Sequence, residues 1–174
     1  MNPSYLQSLA CFQSFRLTLK RIACPHCRGV GALIRHGFLR GYGEGSRRIQ
    51  RGWRIFCSNR QLRRGCGHTH ALLLADYLYR RSVTAGTLTG FLKNLLSGLS
   101  LHAAWPMCPQ GVECGLRLWR TWKCSQTRLR SLLCPVAPVP ASLQTNPLLQ
   151  TLEHLLGLFP SVQDFHLRLQ KSLL

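Results

Sequence analysis

The stretch Cys24-Pro25-His26-Cys27, answered downstream by Cys57 and by Cys66-Gly67-His68-Thr69-His70, decides how this chain is read. Two residues separate Cys24 from Cys27, a spacing at which both sulfurs of one tight turn face a single ion. Two such turns converging on a tetrahedral Zn2+ make a small metal-stapled module. The second half is looser, because the eight residues Ser58 to Gly65 lie between Cys57 and Cys66. Either that loop is enlarged and the ligands are Cys24, Cys27, Cys57 and Cys66, or His68 or His70 replaces Cys57 in a Cys3His site. With four protein ligands and no open position, the ion is expected to be structural. His26 lies inside the first turn, where its ring is expected to point outward.

The residues between the ligand pairs read as β structure. Ala32-Leu33-Ile34-Arg35 is one short run, Gly41-Tyr42-Gly43-Glu44-Gly45 is turn-prone, and Arg47 to Cys57 sets Ile49, Trp53 and Ile55 on one face, so a β-hairpin is expected. The same segment carries Arg28, Arg35, Arg40, Arg47, Arg48, Arg51, Arg54, Arg60, Arg63 and Arg64 against Glu44 alone. Such a charge balance points to a polyanion.

The whole chain repeats that imbalance. Its 174 residues hold Lys+Arg 23 against Asp+Glu 5, for a formal net charge of +18. That is far from the balance of an ordinary soluble enzyme and favours nucleic acid as partner. The only lysines are Lys20, Lys93, Lys123 and Lys171, so the charge sits mostly on planar guanidinium groups suited to phosphate and guanine. The longest aliphatic stretch, Ala71 to Ala75, stops at Asp76, far short of the roughly 20 residues of a membrane-spanning helix. Polar residues interrupt the first twenty positions, which lack the apolar core of a secretory signal. A cytoplasmic location is therefore expected. Nine cysteines in a reducing compartment favour metal ligation for the clustered ones; Cys11, Cys108, Cys114, Cys124 and Cys134 read as plain thiols.

Outside the metal module the pattern is helical. Tyr5, Leu6, Leu9, Phe12 and Phe15 predict an N-terminal helix within residues 1–23, ahead of the module at 24–75. In residues 76–134 a helix over Thr87 to Leu99 is followed by a short one capped by Ser100 and ended by Pro106, then by a long one from Val112 to about Leu133. Pro135, Pro138 and Pro140 mark a linker, 135–146, and Leu148, Leu149, Leu152, Leu155 and Leu156 make 147–174 a helical tail suited to covering the core or to forming a homodimer. The expected fold class is α+β, mostly α, with a small zinc-ribbon β-hairpin module followed by a helix-turn-helix-like bundle.

On the long helix, Arg117, Arg120, Cys124 and Arg128 follow at steps of three, four and four, while Leu118, Trp122 and Leu129 take another side. An amphipathic helix that buries tryptophan and offers arginines after a short helix and turn has the outline of a DNA reader. Arg47, Arg48, Arg51, Arg54, Arg63, Arg64, Arg80, Arg81 and Lys123 are expected to add nucleic-acid contacts.

The order Cys24-Pro25-x-Cys27, strand Trp53-Arg54-Ile55-Phe56-Cys57, then Cys66-Gly67-His68-Thr69 and a basic helical segment resembles the N-terminal region of bacterial insertion-sequence transposases and their small accessory proteins. The resemblance covers about Cys24 to Lys123. It departs at the Ser58 to Gly65 insertion and at His70, where that pattern usually has an aromatic residue. It implies a zinc-stabilised binder of double-stranded DNA belonging to a mobile element, working with a separately encoded transposase. A catalytic core is not expected, since Glu44, Asp76, Glu113, Glu153 and Asp164 are scattered and a two-metal nuclease needs clustered carboxylates. No Walker loop, Gly-x-Ser-x-Gly or His-Glu-x-x-His motif occurs. An RNA-binding or ribosome-associated zinc-ribbon protein is the alternative.

Overall fold

Tyr5 and Leu6 belong to an extended strand, β1 (Ser4–Leu6), rather than to the N-terminal helix that their spacing suggests. The helix α1 (Leu9–Thr18) starts only after Ser8, whose hydroxyl accepts from the Cys11 amide at 3.3 Å. Strand pairing outweighs helical periodicity here because the backbone of β1 finds partners in a later segment. The computed structural model describes residues 4–43, 47–60, 64–106, 109–142 and 144–174.

The expected hairpin forms from β2 (Leu33–Tyr42) and β3 (Arg48–Cys57), paired antiparallel with Leu33 opposite Cys57 and Tyr42 opposite Arg48. The aliphatic run ending at Asp76 is β4 (Thr69–Leu74), antiparallel to β3 and parallel to β1, so the sheet order is β1-β4-β3-β2. Its register with β3 requires Gly52, where an added Cβ would sit 2.1 Å from the Leu72 carbonyl oxygen. The register also shifts beside His36 and beside Arg51. Bulges of this kind re-aim the side chains they carry.

Five helices follow: α2 (Ala85–Leu96), α3 (Leu101–Ala104), α4 (Val112–Leu133), α5 (Pro147–Leu158) and α6 (Val162–Leu169). Their starts are chemically marked. Thr84, Ser100, Asn146 and Ser161 each accept an amide of the first turn through the side-chain oxygen, and Pro147 takes the first position of α5, where its missing N–H costs nothing. None of these helices is long and apolar enough to cross a membrane.

Two apolar clusters divide the interior. One unites Leu88, Phe91, Trp105, Trp122, Leu152 and Phe165, so α5 and α6 share a core with α2 and α4. The other gathers Phe12, Leu19, Leu33, Trp53, Ile55 and Leu72 with Cys24 and Cys57 between α1 and the sheet. The C-terminal helix joins them. His166 stacks on Tyr5 at 4.2 Å between ring centroids, Gln170 exchanges hydrogen bonds with both backbone groups of Tyr5, and the Gln163 amide donates to Asp76.

Candidate metal centre and basic surfaces

Cys24 and Cys57 close the two ends of the hairpin's base, each wholly buried, while Cys27 is exposed and Cys66 is intermediate. Their hydrogen bonds repeat one pattern twice. The Cys24 amide donates to the Gly29 carbonyl at 2.9 Å, and the Cys57 amide donates to the His68 carbonyl at 2.9 Å. In return the Arg28 amide reaches the Cys24 carbonyl at 2.8 Å, and the Gly67 amide reaches the Cys57 carbonyl at 2.9 Å. Arg28 and Gly67, the residues after the second cysteine of each pair, are both left-handed, with φ of 59° and 73°. Glycine adopts this conformation freely, whereas arginine bears its Cβ cost.

That equivalence explains the long second spacing. Gly65 donates its N–H to the Ser58 carbonyl at 3.0 Å, so the chain leaves at Ser58 and returns at Gly65 through a narrow neck. Without the excursion the order is Cys57-Ser58-Gly65-Cys66, a two-residue turn like the first. A Cβ on Gly65 would lie 2.3 Å from the Ser58 oxygen. Only glycine lets the neck close.

The four sulfurs all lie within 4.8 Å of one another, with Cys24 and Cys66 at 3.8 Å and Cys27 and Cys57 at 3.7 Å. A Zn2+ tetrahedron with Zn–S of about 2.3 Å has sulfur–sulfur edges of about 3.8 Å. The thiols therefore fit one such ion, and at this separation they are not disulfides. Burial pushes the Cys24 thiol up, but the amides of Cys27 and His26 and the side chains of Cys57 and His70 bring it down to about 6. Burial and the neighbouring thiols push Cys57 up to about 12, although the Cys66 amide donates to its sulfur at 3.3 Å. Thiols crowded together in this way lose their protons unequally, and a metal ion would bind them only as thiolates.

The histidines fall around this group, not into it. His70 Nε2 is 3.3 Å from Cys24 Sγ, a position from which it can hydrogen-bond the sulfur. His26 and His68 stack on each other at 3.5 Å outside the turns, and with Cys66 they form a second, more exposed group of possible ligands. The four-cysteine set needs neither histidine as substitute.

The arginines read as nucleic-acid contacts separate into distinct environments. Arg47, Arg48, Arg54, Arg64 and Arg80 are exposed, and Arg63 lies outside the described residues. Arg51 is buried: its guanidinium donates to the Leu78 carbonyl at 2.5 Å and lies 5.1 Å from the Tyr77 ring centre. The β3 bulge turns it inward. On α4, Gly115, Leu118, Trp119, Trp122, Leu129 and Leu133 are buried, while Arg117, Arg120, Lys123, Cys124 and Arg128 are exposed. Arg81 donates to Thr121 on α4 at 3.3 Å, and Arg128 to the Leu173 carbonyl at 2.8 Å. The Gln110 side chain, just before α4, donates to the Gly43 carbonyl at 3.2 Å and so fixes that helix beside the hairpin end from which Arg47 and Arg48 project. Seven residues, 105–111, connect α3 to α4, more than the three or four of a tight helix-turn-helix turn.

Sequence reasoning missed a groove between α1 and the sheet, lined by Arg16, Arg35, Phe38, Gln50 and Trp53 among others. Its one visible signal was Phe38, an aromatic residue that the hairpin's inward face, Ile49, Trp53 and Ile55, did not account for. No protein-family model, curated protein or solved structure matches this chain.

Proposed function

We propose that the chain is a zinc-stabilised DNA-binding protein of a mobile element, an accessory protein or regulator without a catalytic core of its own. Cys24, Cys27, Cys57 and Cys66 hold one structural Zn2+ in a zinc ribbon, and the helices from α2 to α4 present α4 to a duplex as a helix-turn-helix does, through a longer connection before the reading helix. The observation that carries this reading is the division of α4 into a face of Trp119, Trp122 and Leu118 against the core and a face of Arg117, Arg120 and Lys123 in solvent. A helix so divided can lie in a major groove, its guanidinium groups reaching phosphates and base edges. Arg47 and Arg48, held next to the start of α4 by the Gln110 bond, extend the positive surface toward the flanking backbone. Zinc keeps the hairpin that carries them rigid.

The test joins metal and duplex. Elemental analysis of reduced protein should find one zinc per chain, and titration with duplex DNA should give an affinity that falls steeply with salt, about 10³–10⁵-fold between 50 and 200 mM if 6–10 phosphates are engaged. Charge reversal at Arg117 and Arg120 should weaken that binding more than reversal at Arg168, whose guanidinium sits 4.9 Å from the Phe159 ring centre on another helix. Equal losses would remove α4 from the interface, and metal-free folded protein would remove the ribbon.

A further inference from the structure

The face of the sheet beneath α1 carries a groove of about 690 Å³ that the metal centre and α4 leave unused. Its wall is aromatic. Phe12 of α1 stacks on Trp53 of β3 with centroids 3.7 Å apart and planes 8° from parallel, and Phe38 stands directly opposite Trp53 in the β2–β3 register, on the same sheet face. Unlike those two buried rings, Phe38 is 46% exposed. The Arg35 guanidinium lies 5.6 Å from its ring centre. Arg35 and Arg16 are the charged residues of the lining, Gln13, Ser14 and Gln50 are its neutral hydrogen-bonding ones, and among the described residues no carboxylate lines it.

An aromatic ring this open favours a flat apolar ligand, and two guanidiniums with no carboxylate beside them among the described residues favour one that also carries negative charge. An unpaired nucleotide has both properties in one unit: a π-face for Phe38, base edges for the carboxamides and phosphates for the guanidiniums. A duplex cannot supply it, since its bases are stacked and paired. An acidic peptide matches the charge but offers no flat face unless it is also aromatic.

We infer that the groove between α1 and the β2–β3 face binds an unpaired base of a single-stranded nucleic acid, with Phe38 as stacking platform and Arg16 and Arg35 holding the adjoining phosphates. The inference rests on the proposed nucleic-acid function and adds a second site to it, distinct from α4. Single-stranded DNA and RNA offer the same chemistry here, since stacking and phosphate contacts do not read the 2′-hydroxyl.

The experiment uses the full zinc-loaded chain, fluorescent thymidine and uridine oligonucleotides, and a duplex of equal length. Phe38→Ala should weaken binding to the single strands about 5- to 150-fold, the range of one lost base–aromatic stack. It should leave duplex affinity and zinc content unchanged, and Phe38→Trp should retain the single-strand affinity. Loss in either the DNA or the RNA arm supports the site and identifies the strand it takes. The converse variant, Arg117→Glu with Arg120→Glu, should affect the duplex more than the single strands. Unchanged single-strand binding in Phe38→Ala overturns the groove inference while duplex binding still stands for α4. Failure of every nucleic acid to bind overturns both readings, and capture of an acidic peptide by wild type but not Phe38→Ala, with no single strand bound, assigns the groove to protein instead.

Discussion

Gly65 donates to the carbonyl of Ser58 at 3.0 Å, and this one contact returns the chain to Cys57 after its excursion so that Cys66 arrives beside the first knuckle. The approach leaves no volume for a side chain, because a Cβ would meet the Ser58 backbone at 2.3 Å. Gly65→Ala should therefore open the neck, displace Cys66 and lower both stability, by roughly 1–3 kcal/mol, and zinc affinity. Gly90→Ala in α2, where nothing lies within 4 Å of the new methyl, is the matched control and should be neutral or slightly stabilising. Thermal melts and competition with a chromogenic chelator measure the two effects. A Gly65→Ala protein indistinguishable from Gly90→Ala would show that the neck does not set the site.

Zinc removal should unfold one part of the chain before the other. The sheet cluster is small and includes two of the cysteines, Cys24 and Cys57, whereas the helical cluster contains Trp122, Phe91, Phe159 and Phe165 and no metal ligand. Structural zinc supplies about 10–16 kcal/mol of apparent stabilisation in small fingers. Chelation should thus strip amide protection from residues 24–70 while the helical core keeps most of its own, as read by hydrogen exchange. Equal protection with and without chelator refutes this. His70→Ala, which removes a hydrogen bond to a ligand and not a ligand, should weaken zinc about 10- to 100-fold, less than Cys57→Ser.

The first cysteine turn was legible because two residues between Cys24 and Cys27 bring both sulfurs to one side, and so was the hairpin, since Trp53 and Ile55 stand on one face with the exposed Arg54 between them. The short helix behind the Ser100 cap and the apolar period of Val112 to Leu133 were legible too, whereas α2 starts at Ala85 behind the Thr84 cap and ends at Leu96, ahead of the Thr87 to Leu99 that its leucines suggest. What stayed hidden depends on distant partners. Tyr5 reads as helical until Leu73 pairs with it, the run 71–74 reads as an aliphatic stretch until β3 lies alongside, and Arg51 reads as one more surface cation until a bulge turns it toward Leu78. The equivalence of the two cysteine turns was concealed by residues 59–64, because a closed neck is a backbone contact with no sequence period.

Arg51 and Arg54 should therefore behave oppositely. Burial lowers the Arg51 pKa, and the Leu78 carbonyl and Tyr77 ring hold its guanidinium in place. Arg51→Ala should cost about 1–3 kcal/mol, the scale of a lost charged hydrogen bond in a buried site, and affect DNA only through folding. Arg54 is exposed on the same strand. Its replacement by alanine should change stability by no more than about 0.5 kcal/mol while weakening polyanion binding and flattening its salt dependence. Denaturant midpoints and salt titrations on both variants decide the assignment; a stable Arg51→Ala chain with weakened binding would reverse it.

His166 links the two clusters and should make their union acid-sensitive. Its Nδ1–H donates to the Ala75 carbonyl at 3.2 Å, the Leu173 amide approaches its Nε2 at 3.5 Å, and the ring, wholly buried, stacks on Tyr5. This is a neutral imidazole with both nitrogens engaged, and a second proton on Nε2 would face the Leu173 N–H. Burial lowers its pKa to about 4, the Ala75 carbonyl opposing only in part, against about 6.5 in an unfolded chain. Above pH 6.5 neither state is protonated and the full stability is present. Between pH 6.5 and 4 the unfolded chain takes up a proton that the native one refuses, so stability falls, by about 3 kcal/mol in all, and then levels below pH 4. Thiolate protonation also releases zinc in acid, so the comparison is made on zinc-loaded protein with zinc in excess, following helical unfolding in urea over the part of the range from pH 7.5 to 4 in which a chromogenic indicator finds zinc still bound. Wild type should lose midpoint steadily over that span, and His166→Gln, starting lower, should lose much less. Parallel pH profiles for the two would show that another group carries the acid sensitivity.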